Sequence, residues 1–461
     1  MIKKIFALLL SLTVIICTFS VATPIFAATN AVSVWDGKLY YTDADGITGT
    51  TWYNSIKDNS VIEVYTANQL AFLAYMSKGN TYSGQTIKLM TDIDLDNKLW
   101  LPIGDVANKD FCGFCGTFDG NGHTIKNLKG KNLESPSGYS NDRATFGLIG
   151  ILGGTVKNLI IENVTYDLDL SVVPLPKVGA ICAAGGYWTG KNNVNLTATI
   201  QNCAVKNVTF NITNTATFET ISLSGMAAVC GVGYRATTIK DTYAKNVKFN
   251  FETAVSNFHQ GGFANHMRDS AKSNYTNCYL ADAKESVANA EPTDLRFGYF
   301  EKSNTGVMKL CYTTSNATES TNISTGTSGA NVLRVNTEQK YINYGLTTSN
   351  TTGSYSADTA NVNDGYAVLT MEAVPVYNLT ITKNGDKFTA SAVFNNLPDT
   401  AMLCFAVYDK TTDMLVFADA IDSNITTKEI TGYDPAKHVV KAFVWDMSDC
   451  TPLVNPETYT Q

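Results

Sequence analysis

The most regular feature of the chain is a four-residue pattern of an apolar residue, two mainly polar residues and a second apolar or small residue. It first occurs as Ile125-Lys126-Asn127-Leu128 and returns in altered form at five later places, spaced by 31 to 44 residues: Val156-Lys157-Asn158-Leu159, Ile200-Gln201-Asn202-Cys203, Ile239-Lys240-Asp241-Thr242, Tyr275-Thr276-Asn277-Cys278 and Met308-Lys309-Leu310-Cys311. Apolar and polar residues that alternate in this way predict a short strand with one buried face. Repetition at periods of about 20–50 residues is typical of stacked repeats. The pattern therefore predicts a parallel β-helix in which each repeat forms one coil.

Stacked coils superimpose equivalent residues about 4.8 Å apart. The apolar positions then form rows inside the coils, such as the row Leu159, Cys203, Thr242, Cys278 and Cys311. The side chains of Asn residues at equivalent corners can hydrogen-bond to one another from coil to coil and can also pair with the polar backbone groups of the turns. We assign this structural role to Asn127, Asn158, Asn202 and Asn277, and a second Asn follows three of the tetrads, at Asn163, Asn207 and Asn246, with Asp282 in the fourth.

The stretch 116–128, Gly-Thr-Phe-Asp-Gly-Asn-Gly-His-Thr-Ile-Lys-Asn-Leu, is interpreted as the best-preserved corner of the repeat. Its residues are assigned structural roles: turns for the glycines and Asp119, the core for Ile125 and Leu128, and a hydrogen bond within the corner for His123. The glycines in question are Gly116, Gly120 and Gly122.

A single helix is predicted before the strands. Thr66 is a good N-cap, and Gln69 three residues later completes a capping box. Ala67, Leu70 and Ala71 fall on one face, together with Ala74. A lone amphipathic helix in this place suits a cap over the open end of a β-solenoid, which would otherwise expose apolar core and unpaired backbone.

The alternation changes character after residue 377, where six or seven short strands with turn signals between them predict a small antiparallel β-sandwich. The expected fold class is thus mainly β: a right-handed parallel β-helix with an N-terminal capping helix, followed by the sandwich. The predicted segments are 1–27, a signal peptide; 28–63, an N-terminal extension; 64–346, the capping helix and β-helix; 347–376, a linker or degenerate coil; and 377–461, the sandwich, of immunoglobulin or fibronectin type III kind.

Residues 1–27 combine Lys3 and Lys4 with an apolar run from Ile5 to Ile16 and a small residue at Ala27, which is typical of a secretory signal. No later stretch is as long and apolar as a membrane span. The net charge of -7 argues against nucleic acid as a partner. We expect an exported, extracellular or surface-held monomer.

Several stretches resemble the GLUG-repeat β-helix proteins of bacterial surfaces. They are 116–128, 146–150 (Phe-Gly-Leu-Ile-Gly) and 153–159, with further similarity at Val34-Trp35-Asp36-Gly37, 66–70 and 92–95. The resemblance spans residues 32–310 and is most specific before residue 165. It implies a right-handed parallel β-helix on a secreted or wall-associated protein, in a family that includes adhesins and non-catalytic regions of immunoglobulin A peptidases. The segment 377–454 is similar to a small sandwich appended to exported proteins of Gram-positive bacteria.

Cysteines and clustered carboxylates are the first candidates for chemistry. Cys112 and Cys115 have redox or zinc spacing, but the chain offers no second pair for zinc, so a loop disulfide or free thiols are favoured. Cys404 and Cys450 could form a disulfide in the sandwich or lie as core residues. Asp92, Asp94 and Asp96 alternate on one face and could bind calcium, although turn and edge polarity is the favoured interpretation. No other cofactor is expected.

The candidates for catalysis are His266, Arg268 and Asp269 with Glu301, because their offsets from Gly262 and Gly298 could bring them together on adjacent coils. Glycan cleavage requires paired carboxylates, or a base with a cation, so surface ion pairs are favoured here. Tyr187 and Trp188 form either an aromatic platform for sugars or a covering loop. The sequence favours a non-catalytic binding or adhesion protein that presents a β-helix face to glycans or to host or matrix protein. The alternative is a polysaccharide lyase or glycoside hydrolase on the same scaffold.

Overall fold

The computed structural model describes the chain in segments. They are residues 32–104, 113–131, 145–172, 176–186, 188–189, 194–214, 225–233, 237–253, 260–266, 274–295, 297–298, 307–314, 332–334, 355–358, 363–372, 377–384, 387–394, 401–412, 414–422, 427–431, 433–434, 436–446, 451–452 and 457–459. These residues fall into two compact units, 28–372 and 373–461. Both units are mainly β, as predicted, and the first is built on parallel sheets.

The first unit opens with two helices among short strands. The helices are α1 (Gly49–Ile56) and α2 (Ala67–Met76). The strands up to the glycine corner and its surroundings are β1 (Ser33–Val34), β2 (Val61–Val64), β3 (Thr86–Leu89), β4 (Ile93–Asp94), β5 (Thr117–Asp119), β6 (Thr124–Lys126) and β7 (Lys129–Lys131).

The repeats that follow each contribute two short strands and one long strand. The short strands are β8 (Thr145–Phe146), β9 (Ile149–Leu152), β11 (Lys177–Val178), β12 (Cys182–Gly185), β16 (Gly225–Ala227), β17 (Cys230–Gly233), β19 (Gln260–Gly261) and β20 (Ala264–His266). The long strands are β10 (Thr155–Asp169), β15 (Ala198–Thr213), β18 (Thr237–Phe251) and β21 (Asn274–Val287). Other strands of this unit are β13 (Trp188–Thr189), β14 (Val194–Asn195), β22 (Thr293–Asp294), β23 (Val307–Thr313), β24 (Val332–Arg334), β25 (Tyr355–Ser356) and β26 (Val368–Leu369).

Equivalent strands of successive repeats pair in parallel and form three sheets. The long strands lie in the order β10-β15-β18-β21-β23-β24, the first short strands in the order β8-β11-β16-β19 and the second in the order β9-β12-β17-β20. The register is the one predicted for the later tetrads, because the first residues of successive tetrads pair with one another. The paired residues are, in order, Val156, Ile200, Ile239, Tyr275 and Met308.

The first tetrad does not fit that register, and this prediction was wrong. Ile125 pairs with Ile161, five residues beyond Val156, while Val156 pairs with Phe118. The corner between β5 and β6 holds two more residues than its counterpart in β10, because Gly120 and Gly122 extend the turn. Asn127 is therefore the counterpart of Asn163 rather than of Asn158.

Inward-facing rows run through the unit and form its core. One predicted row, from Leu159 through Cys203 and Cys278 to Cys311, is fully buried. An aromatic row lies beside it, in which the Phe210 and Phe249 rings stack at 4.1 Å. Burial of such rows at about 25 cal/mol per Å² of apolar surface is the main stabilising contribution to stacked repeats.

The helix predicted after Thr66 is present as α2. The Thr66 side chain accepts a hydrogen bond from the Gln69 N–H, and the Gln69 side chain accepts one from the Thr66 N–H. Ala67, Leu70 and Ala71 are fully buried, as is Ala74. Helix α1, which was not predicted from the sequence, belongs to the extension and begins after the N-cap Thr48.

A segment late in the first unit, the covering segment (355–358 and 363–372), packs on the outward face of the long strands. Tyr243, Tyr279 and Tyr312 occupy one outward row, yet all are fully buried, and the first two rings stack at 4.6 Å. Tyr355 and Tyr366 of the covering segment belong to the same apolar cluster. The covering segment therefore shields this row of large outward aromatic residues from solvent.

Buried polar contacts fix the covering segment in place. The Glu372 carboxylate, 3% exposed, accepts a hydrogen bond from the Tyr243 hydroxyl at 2.7 Å and lies 2.9 Å from the Lys206 ammonium. Burial alone would lower the pKa of Lys206, but Glu372 and Glu162 outweigh it, and the pKa is raised. The Tyr355 hydroxyl donates to the Asn277 carbonyl at 3.1 Å.

The second unit consists of antiparallel strands in two sheets. One sheet has the order β27 (Tyr377–Asn384), β28 (Lys387–Phe394) and β31 (Thr427–Thr431). The other contains β30 (Leu415–Asp422), β29 (Ala401–Asp409), β32 (His438–Asp446), β33 (Thr451–Pro452) and β34 (Glu457–Tyr459). The alternating pattern thus predicted the antiparallel strands correctly. Three of its apolar residues are buried: Phe388, Phe405 and Val407.

We expect Ile239→Ala to lower the free energy of unfolding by about 2–5 kcal/mol, because it leaves a cavity in the inward row. Lys248→Ala is the matched control, since Lys248 lies on the same strand and is exposed, and it should change stability by less than about 0.5 kcal/mol. Urea denaturation followed by circular dichroism measures both. Equal losses in the two variants would contradict the inward assignment of Ile239.

Candidate functional site

Rows of Asn and Asp side chains mark the corners of the long strands. Asn158, Asn202, Asp241 and Asn277 have φ between 50° and 56°, a left-handed conformation that Asn and Asp adopt more readily than most residues. The second row, Asn163, Asn207, Asn246 and Asp282, has φ between 54° and 57°. Two left-handed corners in each repeat therefore bend every long strand in the same two places.

Side-chain hydrogen bonds join these rows with a constant direction. Asn202 Nδ2 donates to Asn158 Oδ1 at 2.8 Å, and Asn158 Nδ2 donates to Asp119 Oδ1 at 3.0 Å. In the second row Asn127 Nδ2 donates to Asp94 Oδ1 at 2.7 Å. An Asp, which can only accept when ionised, thus stands at the N-terminal end of each run. Asp119, Asn127, Asn158 and Asn202, to which the sequence assigns structural roles, take part in these bonds.

The first row is interrupted where an Asp replaces Asn inside it. Asn277 Nδ2 donates to Asp241 Oδ1 at 2.7 Å, but the Asp241 side chain has no N–H to offer its other neighbour, Asn202. Asn202 Oδ1 and Asp241 Oδ2 are buried with no hydrogen-bond partner in the described part of the chain. Two acceptors without a donor at a buried site cost stability.

The glycine corner has a structural role, as predicted. Gly122 has φ of 81°, and a Cβ on Gly120 would lie 2.4 Å from the Asn158 carbonyl oxygen. A Cβ on Gly116 would lie equally close to the Tyr82 carbonyl oxygen. Ile125 and Leu128 are buried, as predicted.

The three alternating carboxylates Asp92, Asp94 and Asp96 each have separate partners. Asp92 Oδ1 lies 3.0 Å from His123 Nδ1, Asp94 Oδ2 lies 3.5 Å from Lys126 Nζ, and Asp96 pairs with Lys98. Within the described ranges no three His, Cys, Asp or Glu residues are grouped so as to hold a metal ion. The arrangement is that of polar corner residues with individual counter-ions.

Hydrogen bonds lower the pKa of Asp92 and Asp94, and burial acts to raise it. The hydrogen bond with His123 is the main cause that lowers the pKa of Asp92; burial opposes it, and the Thr124 N–H adds to it. For Asp94 burial is the largest influence and would raise the pKa. Hydrogen bonds from the Asp96 N–H and Asn127, with the nearby Lys126, outweigh burial, and the pKa is lowered.

Most candidate catalytic and ligand residues lie outside the described residues: Arg268, Asp269, Glu301, Tyr187, Cys112 and Cys450. His266 ends β20, where its backbone is in register with Gly233. Trp188 pairs with Asn195 in a short antiparallel hairpin on the insertion after β12. Cys115 is partly buried, and Cys404 is a buried thiol whose pKa is raised to about 12 by burial.

An open depression of about 510 Å³ lies near the capping end of the first unit, and its residues come from the extension. It is lined by Asp36, Lys38, Tyr40, Tyr41, Thr42, Thr48, Gly49 and Thr50. The Trp35 ring holds the neighbouring turn in place, because it is buried against Trp100 at 5.5 Å and its Nε1 donates to the Lys38 carbonyl. The backbone around the depression is thus anchored to the core.

Tyr40 is the exposed aromatic residue of this depression. The residue is 56% exposed, and the centroid of its ring lies 4.6 Å from that of Tyr75 and 6.0 Å from that of Phe72, both of α2. A hydrogen bond with Tyr75 is the main cause that raises the pKa of Tyr40. Tyr40 is therefore largely exposed while its ring contacts two aromatic residues of α2. Sequence reasoning missed this site; the adjacent tyrosines Tyr40 and Tyr41 in a segment without an assigned fold were its one signal.

Comparison with known proteins gives a partial match to a curated protein. The chain is similar to halomucin of Haloquadratum walsbyi (strain DSM 16790 / HBSQ001), with 30% identity over 203 residues. The match covers 42% of this chain and 2% of halomucin. No family model and no solved structure matches the chain. None of the helices in the described ranges is long and apolar enough to cross a membrane.

Exchanging Asp for Asn should have opposite effects at two places in the same row. Asp241→Asn supplies the missing N–H to Asn202 Oδ1, so we expect a gain of about 1–3 kcal/mol in the free energy of unfolding. Asp119→Asn removes the ion pair with Lys157, 3.0 Å away, and should lower stability. Denaturant titration of the two variants tests this, and a loss of stability in Asp241→Asn would contradict the interrupted row.

The Asp92 carboxylate should contribute to acid sensitivity. Because its pKa is lowered in the folded chain, its contribution is present above the unfolded pKa of about 3.9 and is lost as pH falls through the lower folded value. Between pH 5 and pH 2 (roughly the range over which carboxylates titrate) Asp92→Asn should therefore lose less stability than the wild type. Asp58→Asn is the control, since the Asp58 side chain is 86% exposed. Parallel acid slopes for wild type and Asp92→Asn would refute the assignment.

Proposed function

We propose that this chain is an exported, non-catalytic binding protein that holds a glycan at the depression around Tyr40. The proposal depends on one observation: an exposed aromatic ring, supported from behind by α2, stands beside hydroxyl and carboxylate groups in a concave surface. Sugar rings present C–H faces that pack on aromatic rings, and their hydroxyls need nearby donors and acceptors. Thr42, Thr48 and Asp36 supply such groups.

We further propose that the first unit is a right-handed parallel β-helix of the GLUG-repeat kind. Support comes from the parallel, in-register pairing of β10, β15, β18 and β21, and from the same order of short and long strands in each repeat. Crossovers between parallel strands are right-handed in about 98% of cases, because only that hand returns a twisted strand onto its sheet. The second unit would be an appended β-sandwich, of immunoglobulin or fibronectin type III kind.

Export is supported by the sequence of residues 1–27, which has the order of a secretory signal. The insertion whose sequence contains Tyr187 and Trp188 would form a second contact for glycan or for extracellular protein, as its aromatic content suggests. The proposed ligand of the depression itself is a neutral glycan, since its lining contains both Asp36 and Lys38.

Tyr40→Ala should weaken glycan binding about tenfold, because one aromatic stacking contact is worth about 0.5–1.5 kcal/mol beyond its buried area. Tyr65→Ala is the matched control: Tyr65 is 47% exposed and does not line the depression. Binding of the full chain is first located on a glycan array, and the affinity of both variants for the retained glycan is then measured by calorimetry.

Equal affinity of the Tyr40→Ala variant and the wild type for the glycan would show that the depression is not the binding site. Retention of no glycan on a broad array would count against the whole proposal. Circular dichroism should give the same spectrum for both variants, which separates lost binding from lost structure.

A further inference from the structure

Two buried thiols on neighbouring strands lie in register in the second short sheet. Cys182 of β12 pairs with Cys230 of β17, and both side chains have no exposed surface. Neither forms a disulfide in this structure. The interaction with Cys230, together with burial, raises the pKa of the Cys182 thiol. In-register residues of parallel strands point to the same face of the sheet.

The strand geometry is compatible with a covalent bond between these thiols. In-register Cα atoms on neighbouring parallel strands are about 4.8 Å apart. Disulfides span Cα separations of about 4.4–6.8 Å. The link would join two successive repeats across the 48 positions that separate Cys182 from Cys230. We propose that Cys182 and Cys230 form a disulfide that fastens neighbouring repeats together when the chain folds under oxidising conditions.

The reaction is a thiol–disulfide exchange with a small-molecule disulfide. The first thiolate attacks that disulfide, forms a mixed disulfide and releases one small thiol. The second thiolate then attacks the mixed disulfide, forms the Cys182–Cys230 bond and releases the second small thiol, and the two cysteine protons end on the two small thiols. The small-molecule disulfide is reduced by two electrons as the cysteine pair is oxidised.

Burial limits when this exchange can occur. The attacking species is a thiolate, and in the folded chain neither thiol is reached by solvent. The exchange is therefore confined to the stage at which the two repeats have not yet stacked. Once stacking is complete, the redox state present at that moment is retained, whether oxidised or reduced.

Cys203 provides a matched control within the same unit. It is fully buried, like Cys182, but its in-register neighbours are Leu159 and Thr242. The register therefore gives Cys203 no thiol partner, and Cys203→Ala should leave the proposed cross-link intact. Cys182→Ala should abolish it.

The experiment refolds the full wild-type chain from denaturant with oxidised and reduced glutathione, and in parallel with reduced glutathione alone. Non-reducing peptide mapping should find Cys182 joined to Cys230 in the first sample and not in the second. The cross-linked protein should melt about 2–5 °C higher, since the bond restricts the unfolded chain. Cys203→Ala should give the same linked peptide as the wild type.

A second arm adds the same oxidised glutathione to reduced protein that is already folded, where no cross-link should form over the same time. Protein produced by secretion into an oxidising compartment and mapped directly gives a further measurement that does not depend on refolding. Natively folded protein without a Cys182–Cys230 link after both oxidative routes would overturn the proposal. Equally fast linking in the folded protein would overturn its restriction to the folding stage.

Discussion

Left-handed corners at fixed places in every repeat are the constraint on which the large parallel sheet depends. Each long strand can pair along its whole length with the next only if both bend at the same residues, so one corner dictates the next. Asn and Asp meet this requirement at a smaller conformational cost than other residues with a Cβ. Asn also carries an amide that donates to the preceding repeat, and the Asp residues at the N-terminal ends accept these hydrogen bonds.

The same constraint explains why several residues that look reactive are structural. His123 and Asp92 belong to a corner hydrogen bond, and Asp119 is the end of an Asn row with Lys157 as its counter-ion. The alternating carboxylates Asp92, Asp94 and Asp96 each have a separate basic partner, so each negative charge is balanced individually. A catalytic or metal site requires the opposite arrangement, in which several groups converge on one ligand.

The groups most suitable for binding lie where the repeat pattern ends. The extension before α2 contributes β1 and β2 to the large sheet, where they pair in parallel with β4 and β3. The exposed Tyr40 and the concave surface lie on the chain between these two strands. On the flank of the long strands, large outward aromatic residues are closed off by the covering segment, and this row is consequently not an open surface. Glycan binding at the capping end is consistent with both facts. The proposed link between Cys182 and Cys230 would strengthen the stack itself.

The sequence by itself determined the strand pattern, the capping box of α2, the Asn corners and the register of the later tetrads, because these features rest on local periodicity and on spacing that repeats. It could not place Ile125 correctly, since the length of the glycine turn between β5 and β6 decides which residues face one another, and that is a property of the stacked backbone. Tertiary structure alone placed Tyr40 on α2, the covering segment on the tyrosine row, and Cys182 beside Cys230. In each case residues far apart in the chain meet only because the repeats are stacked.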